Sequence, residues 1–410
     1  MRRHLKRYLS VLGLALALPL IALATFEFQK IDRPLPYIAT LPSGINDAGW
    51  IVGTASTIKQ KAFGTEEGFL LREGQYEKIF YTGARDTDLG GINDQGEIVG
   101  TYGDFSFKDH CFLRDQSGYY ASFDMPSMFS NATIPDCNGI NQGGDTVGSY
   151  SDGSTNHGWW RTAGGTFYQL DVSFGGASNT EAWGINKGRD IVGSYYQAAS
   201  RHGFLFRSGS YYPVDFPGAT NTHAFGINDR GDIVGSYSTS TTDHGFLWRE
   251  GQWKTVDVNL SDALVTNRVS GINNHGCMVG VYTGTDGRRH GFEASAREAD
   301  GDGYEPGKNG GTAYMHFHED DCNQKPETED FSDPGSGIDF HSTQVTAVTY
   351  DDVAHTVTIA GLGTNNSLLP VAFTIIGVDS TAVPPGMFSI TMSNGYSNSG
   401  SLLSGTITLR

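Results

Sequence analysis

The sequence predicts an all-β protein: a six-bladed β-propeller with four-stranded blades, closed by an N-terminal strand and followed by a small C-terminal β-sandwich-like domain. Three observations carry this prediction. The tripeptide Gly-Ile-Asn begins at Gly44, Gly91, Gly139, Gly184, Gly226 and Gly271, at intervals of 47, 48, 45, 42 and 45 residues. Each copy is followed by a second motif: Glu67-Gly68-Phe69, His110-Cys111-Phe112, His157-Gly158-Trp159, His202-Gly203-Phe204, His244-Gly245-Phe246 and His290-Gly291-Phe292. The repeat region nowhere shows helical periodicity. A period of about 40 to 50 residues belongs to solenoids, propellers and arrays.

Taken in chain order, residues 1–24 read as a signal peptide. Arg2, Arg3, Lys6 and Arg7 give a basic start, Val11 to Ile21 an apolar run broken by Pro19, and Ala22-Leu23-Ala24 a small-x-small cleavage site. No later segment is apolar over the roughly 20 residues a membrane span requires. Phe26 to Asp32 then looks like a fourth strand with nothing before it.

One unit shows the strand pattern. His223 to Ile227 is short and apolar, and Asn228-Asp229-Arg230-Gly231 forms a turn in which glycine supplies positive φ. Ile233 to Tyr237 returns, Gly245 to Arg249 is a third strand, and Trp253 to Asp257 alternates apolar with polar as a fourth. The sixth unit stops after its third strand, at His290 to Ala294, so the stray N-terminal strand would complete it and latch the ring. Closure leaves short, glycine-rich sheets without exposed edges. The propeller is thus placed at residues 25–296.

His223-Ala224-Phe225-Gly226-Ile227-Asn228 resembles the signature of bacterial secreted proteins with HAF-type extracellular repeats, and the likeness covers roughly residues 26 to 296. It departs at Glu67, Cys111 and Gly188, which replace or shift motif residues. The resemblance implies export and a propeller-like fold, and implies no reaction.

Composition narrows the partners. The formal net charge is −17, which disfavours nucleic acid and anionic membranes. Aromatics at 12% exclude a disordered chain. Cys111, Cys137, Cys277 and Cys322 allow three disulfide pairings, of which Cys111–Cys137 is the most local. The expected location is secreted, extracellular or periplasmic, and the expected state a monomer.

Residues that recur once per blade read as structure. His110, His157, His202, His244 and His290 stand around a ring, too far apart to share a metal, and each fits a hydrogen bond within its blade. The asparagines of Gly-Ile-Asn read as turn formers, and Tyr102, Tyr150, Tyr195, Tyr237 and Tyr282 as packing residues. Function is expected where the repeats disagree, on the second-to-third and fourth-to-first loops, which share one face around the channel mouth. The candidate ligand-binding residues there are Arg85, Asp86, Asp88, Asp136, Asp243, Arg268 and Arg288, with Asp286 and Arg289 beside them. Nucleophile-elbow, zincin and phosphate-loop motifs are absent, so no catalytic residue is assigned.

Residues 297–310 read as an acidic, glycine-rich linker, and 311–410 as the β-sandwich-like domain, with the acidic stretch Asn323 to Gly335 as a loop inside it. No cofactor is expected. Calcium is the one candidate, through Asp300, Asp302 and Glu305, and His316 with His318 could form half a metal site. The reading is of a secreted, non-catalytic binding protein that presents a propeller face to a glycan or protein. The alternatives are a propeller lyase or hydrolase acting on polysaccharide at the channel mouth, and a structural or adhesive envelope element.

Overall fold

The computed structural model describes residues 26–57, 66–127, 133–249, 251–295, 298–320, 329–351, 354–366, 370–380 and 386–409. The leader predicted at 1–24 and Cys322 lie outside them. Among the described residues no helix is long and apolar enough to cross a membrane.

Each residue of Gly-Ile-Asn has its own task. The isoleucines are buried. The glycines form a ring of close approaches, in which a Cβ on Gly44 would meet the Cα of Gly91, and so on round to Gly271 against Gly44. Only glycine permits backbones that close. Each asparagine Nδ2 donates to the backbone oxygen of the next asparagine at 3.0–3.1 Å, in the order 46, 93, 141, 186, 228, 273 and back to 46. Each Oδ1 accepts the backbone N–H four residues on, at 2.9–3.0 Å, which shapes the hairpin turn. The turn glycine has positive φ in five units. In the fourth, where the glycine moved to Gly188, Arg189 adopts φ +64° instead.

These contacts organise antiparallel four-stranded units into a β-propeller. The fifth unit is Asn221–Ile227, Ile233–Ser238, Asp243–Arg249 and Gln252–Val256. The strand Glu27–Ile31 pairs antiparallel with Arg289–Ser295, so it supplies the fourth strand of the last unit. One parallel residue pair, Ala39 with Arg289, bridges the first and last units. The core lies between neighbouring units: Val192, Leu205 and Val214 of the fourth pack with Ala224, Ile227, Ile233 and Phe246 of the fifth.

The motif histidines bond within their units. His110, His157, His202 and His244 contact Asp124, Asp171, Asp215 and Asp257, and His290 contacts Asp32 of the N-terminal strand, at 2.6–3.1 Å. Each ring also stacks on the recurring tyrosine, with centroids 4.9–5.4 Å apart. Cys111 and Cys137 form a disulfide with Cα atoms 5.9 Å apart, joining the second and third units. Cys277 is disulfide-bonded as well.

The C-terminal part corrects two expectations. Residues Glu298–Pro306 are a strand rather than a linker, paired with Thr312–Asp320 on one side and Ser404–Leu409 on the other. The sheet has nine strands in a single path around one core, rather than two packed sheets. The strand Ser397–Ser401 at one end of this path returns to strand Glu298–Pro306, where Asn398 Nδ2 donates to Glu305 Oε1 at 2.9 Å and to the Pro306 oxygen at 3.0 Å. The acidic stretch contributes a further strand at Asp330–Asp333. Strand Glu298–Pro306 escapes notice because its inward positions include Gly301 and Gly303, which look like linker residues. The Phe317 ring fills the space beside Gly301.

The last inward residue, Glu305, is fully buried, and burial with the nearby Asp333 charge pushes its carboxyl up to about 7 against the opposing Asn398 hydrogen bond. A carboxyl raised in the folded state stabilises the fold at low pH, and that contribution is lost as pH rises from its ordinary 4.5 through about 7. The melting temperature of the C-terminal domain is therefore expected to fall between those values. Glu305→Gln should flatten the profile, and an unchanged slope in this variant would refute the assignment.

Candidate functional site

The inner strands Ala39–Ile45, Asp86–Ile92, Thr133–Ile140, Ala177–Ile185, Asn221–Ile227 and Ala263–Ile272 all carry an irregularity in register just before the Gly-Ile-Asn glycine. The extra residue there is Ser43, Gly90, Asn138, Trp183, Phe225 or Ser270. A bulge kinks the strand and re-aims its side chain. All six of these residues line a cavity of about 380 Å³ in the channel mouth. This is within the ordinary range of small-ligand sites, about 300–1,000 Å³.

Two residues earlier on each inner strand stand Leu41, Asp88, Asp136, Glu181, His223 and Arg268, all opposite the second strand at equivalent places. Of these, Leu41, Asp88, Asp136 and Arg268 face the cavity. Glu66 and Arg289, from third strands, complete its charged lining. The scaffold thus repeats while the residues it presents do not.

Trp183 and Phe225 stand edge to face, ring centroids 5.2 Å apart. The Trp183 indole Nε1 has no hydrogen-bond partner among the described residues. Arg268 donates from Nε to Ser270 Oγ at 3.0 Å, and its guanidinium carbon lies 5.5 Å from the Phe225 ring centre. Burial and the Arg289 charge push Arg268 down to about 10. The channel walls surround this guanidinium while part of it stays open to the cavity.

Beside the cavity, Arg201 contacts His223 Nε2 at 2.5 Å, and Glu181 lies 3.6 Å from Arg201 and 3.8 Å from His223. Burial lowers the His223 pKa despite the Glu181 carboxylate, so the imidazole is neutral and Nε2 accepts from the guanidinium. Burial would raise Glu181, but His223, Arg201 and Asn156 outweigh it and hold the pKa below the usual carboxylate range.

Of the residues singled out from sequence, the structure brings Asp88, Asp136, Arg268 and Arg289 together in one cavity. Arg85 and Asp86 belong elsewhere. They pair at 2.8 Å, Asp86 also accepts the Gly103 N–H at 3.1 Å, and the pair clasps the second unit. Asp243 accepts from Ser238 Oγ at 2.7 Å in its own hairpin, and Arg288 lies 3.6 Å from Asp286 in a turn. Their loops share the face but do not reach the cavity. Sequence reasoning missed Trp183 and Phe225, although the column before the Gly-Ile-Asn glycine reads Ser, Gly, Asn, Trp, Phe, Ser and is variable beside an invariant triplet.

The metal expectations change too. Asp300 and Asp302 sit on an extended strand, not on a loop that could wrap calcium, because their backbone is committed to the sheet. His316 is 3.4 Å from Asp302 across the strand pair, and the His318 side chain lies outside the described residues. Among the described residues no three His, Cys, Asp or Glu side chains are grouped as a metal site.

No family model matches the chain, and no curated protein does. Solved structures similar to it include TolB from Acinetobacter baumannii, with 13% identity and a TM-score of 0.41, over 60% of this chain and 63% of that one. The chain therefore spans less than two thirds of TolB. The β-propeller domain of the Trilobed protease from Pyrococcus furiosus is similar at 9% identity and a TM-score of 0.38, over 82% of this chain and 95% of that one. A polysaccharide lyase, an ulvan lyase, is similar at 12% identity and a TM-score of 0.31, over 82% and 94%. These proteins differ in what they do.

Proposed function

We propose that the chain is an exported, non-catalytic binding protein that seats a glycan in the channel mouth. The observation that carries this is the cavity itself. Aromatic surface from Trp183 and Phe225 stands among Asn138, Ser270, Asp88 and Asp136. Sugar rings offer an apolar face and a rim of hydroxyls, and this lining matches both. A cavity of about 380 Å³ admits a sugar ring but not the flat surface of a folded protein. The basic and apolar leader, the HAF-type resemblance and a disulfide, which oxidising compartments permit, support export.

A glycan array on the mature protein tests the reading. Trp183→Ala is expected to weaken the bound glycan by about tenfold or more, as loss of one stacked aromatic costs about 1.4 kcal/mol or more. Silence across the array would end the glycan reading.

A second reading has one observation of its own. The contact of Glu181, His223 and Arg201 groups an acid, a neutral imidazole and a cation, as a lyase or hydrolase requires. Chain shortening of an array-positive polysaccharide, abolished by His223→Ala, would establish it over simple binding.

A further inference from the structure

We propose that the ligand of the channel mouth is an anionic sugar whose charged group is held by Arg268 and Arg289. This rests on the glycan reading and narrows it. Both arginines face the cavity, and neither has a carboxylate within ion-pair distance among the described residues. Elsewhere the arginines find acids readily: Arg85 pairs with Asp86 at 2.8 Å, Arg114 with Glu77 at 2.9 Å and Arg207 with Asp190 at 2.7 Å. In a chain of 45 acidic and 28 basic residues, leaving two guanidiniums unmatched in one cavity runs against composition.

Their geometry explains what they await. Ser270 and Phe225 fix Arg268 through its Nε and its flat face, which leaves the terminal nitrogens without a hydrogen-bond partner among the described residues. A guanidinium presented this way offers a fork of parallel N–H donors, the arrangement that grips a carboxylate or a sulfate. Two like charges sharing a cavity disfavour each other until an anion sits between them.

The acids of the cavity do not perform that role. Glu66, Asp88 and Asp136 come from the first three units and have interactions of their own. Carboxylate oxygens accept from sugar hydroxyls, so they complement the rest of the same ligand. A neutral sugar would use Trp183, Asp88 and Asp136 but leave both arginines idle. An acidic sugar uses the whole lining.

Calorimetric titration of the full chain tests this with three probes of equal length: a galacturonate oligosaccharide, a neutral galactose oligosaccharide and a sulfated form of the latter. Arg289→Ala and Arg268→Gln are compared with the parent, each after a check of its melting temperature. Arg289 is exposed, so its variant keeps the test open if Arg268→Gln fails to fold.

The expected result is that one anionic probe binds at least about tenfold tighter than the neutral one, with the preference reduced by about tenfold in each variant and weakened by salt. Preference for galacturonate identifies a carboxylate, and preference for the sulfated probe a sulfate. Equal binding of all three probes, unaffected by either variant, overturns the charge assignment and leaves the glycan reading standing. Binding of no probe at all overturns both.

Discussion

Gly235→Val is expected to destabilise the propeller by about 3 kcal/mol or more, although it places one of the best strand formers in a strand. Gly235 pairs opposite Ala224, just beyond the bulge at Phe225, and its φ is unremarkable. Strand propensity alone favours valine by up to about 1 kcal/mol. Space decides otherwise. A Cβ here would sit within 3.0 Å of the His223 backbone oxygen and of the Phe246 ring, and the backbone oxygen cannot rotate away. Overpacking of this kind costs about 3 kcal/mol or more. The same clash recurs at Gly53, Gly100, Gly148, Gly193 and Gly280, each against the oxygen of the inner-strand residue two before its bulge. Gly251→Ala is the contrast: nothing lies within 4 Å, and only the φ of +79° is unfavourable, so about 1 kcal/mol is expected. Chemical denaturation of both variants measures the difference. Equal, small losses would mean that the glycine spaces the strands less tightly than the contacts require.

Removal of residues 26–32 is expected to have an effect of similar size by another route. Phe26 joins the core of the last unit and Ile31 that of the first, while Phe28 packs edge to face on Phe292 at 5.7 Å. Two buried side chains at about 2 kcal/mol each, with part of a third, give a loss of roughly 5 kcal/mol. That equals the whole margin of many domains, about 5–15 kcal/mol. His290 loses Asp32, and the backbone of strand Arg289–Ser295 becomes an open edge prone to association. A peptide spanning residues 26–33, added in trans, should restore the melting transition by strand addition. A shortened chain that stays monomeric with an unchanged transition would show that the latch is dispensable.

How much of this was legible depended on whether a residue touches its own counterpart. Gly226 and Asn228 meet Gly271 and Asn273 of the next unit, so their contacts force the same letters at every copy. The ring could therefore be read from spacing. Trp183 and Phe225 line the cavity, and the repeat places no demand on them. Their position is also set by a one-residue bulge, which appears only once strands are paired. Arg268 and Asp88 were reachable because they lie on the approach to the mouth, and Arg85 and Asp86 were chosen by the same logic and proved to be a clasp. In the C-terminal sheet, alternation was present from Ala299 to Glu305, but glycine on the inward side made a strand look like a tether.

The hydrogen bond from His290 to Asp32 joins residues 258 apart and that from Asn273 to Asn46 residues 227 apart, whereas the asparagine bonds between the other consecutive units span only 42 to 48 residues. Hairpins of a few dozen residues can form as local events, but this last pairing waits until all intervening units are in place, because bringing distant ends together carries the largest entropic cost. Ring completion is thus expected to be the final step of folding. Until it happens the last sheet lacks a strand that any neighbouring copy of the chain also carries, so the order of assembly leaves an interval in which molecules can trade their first strands.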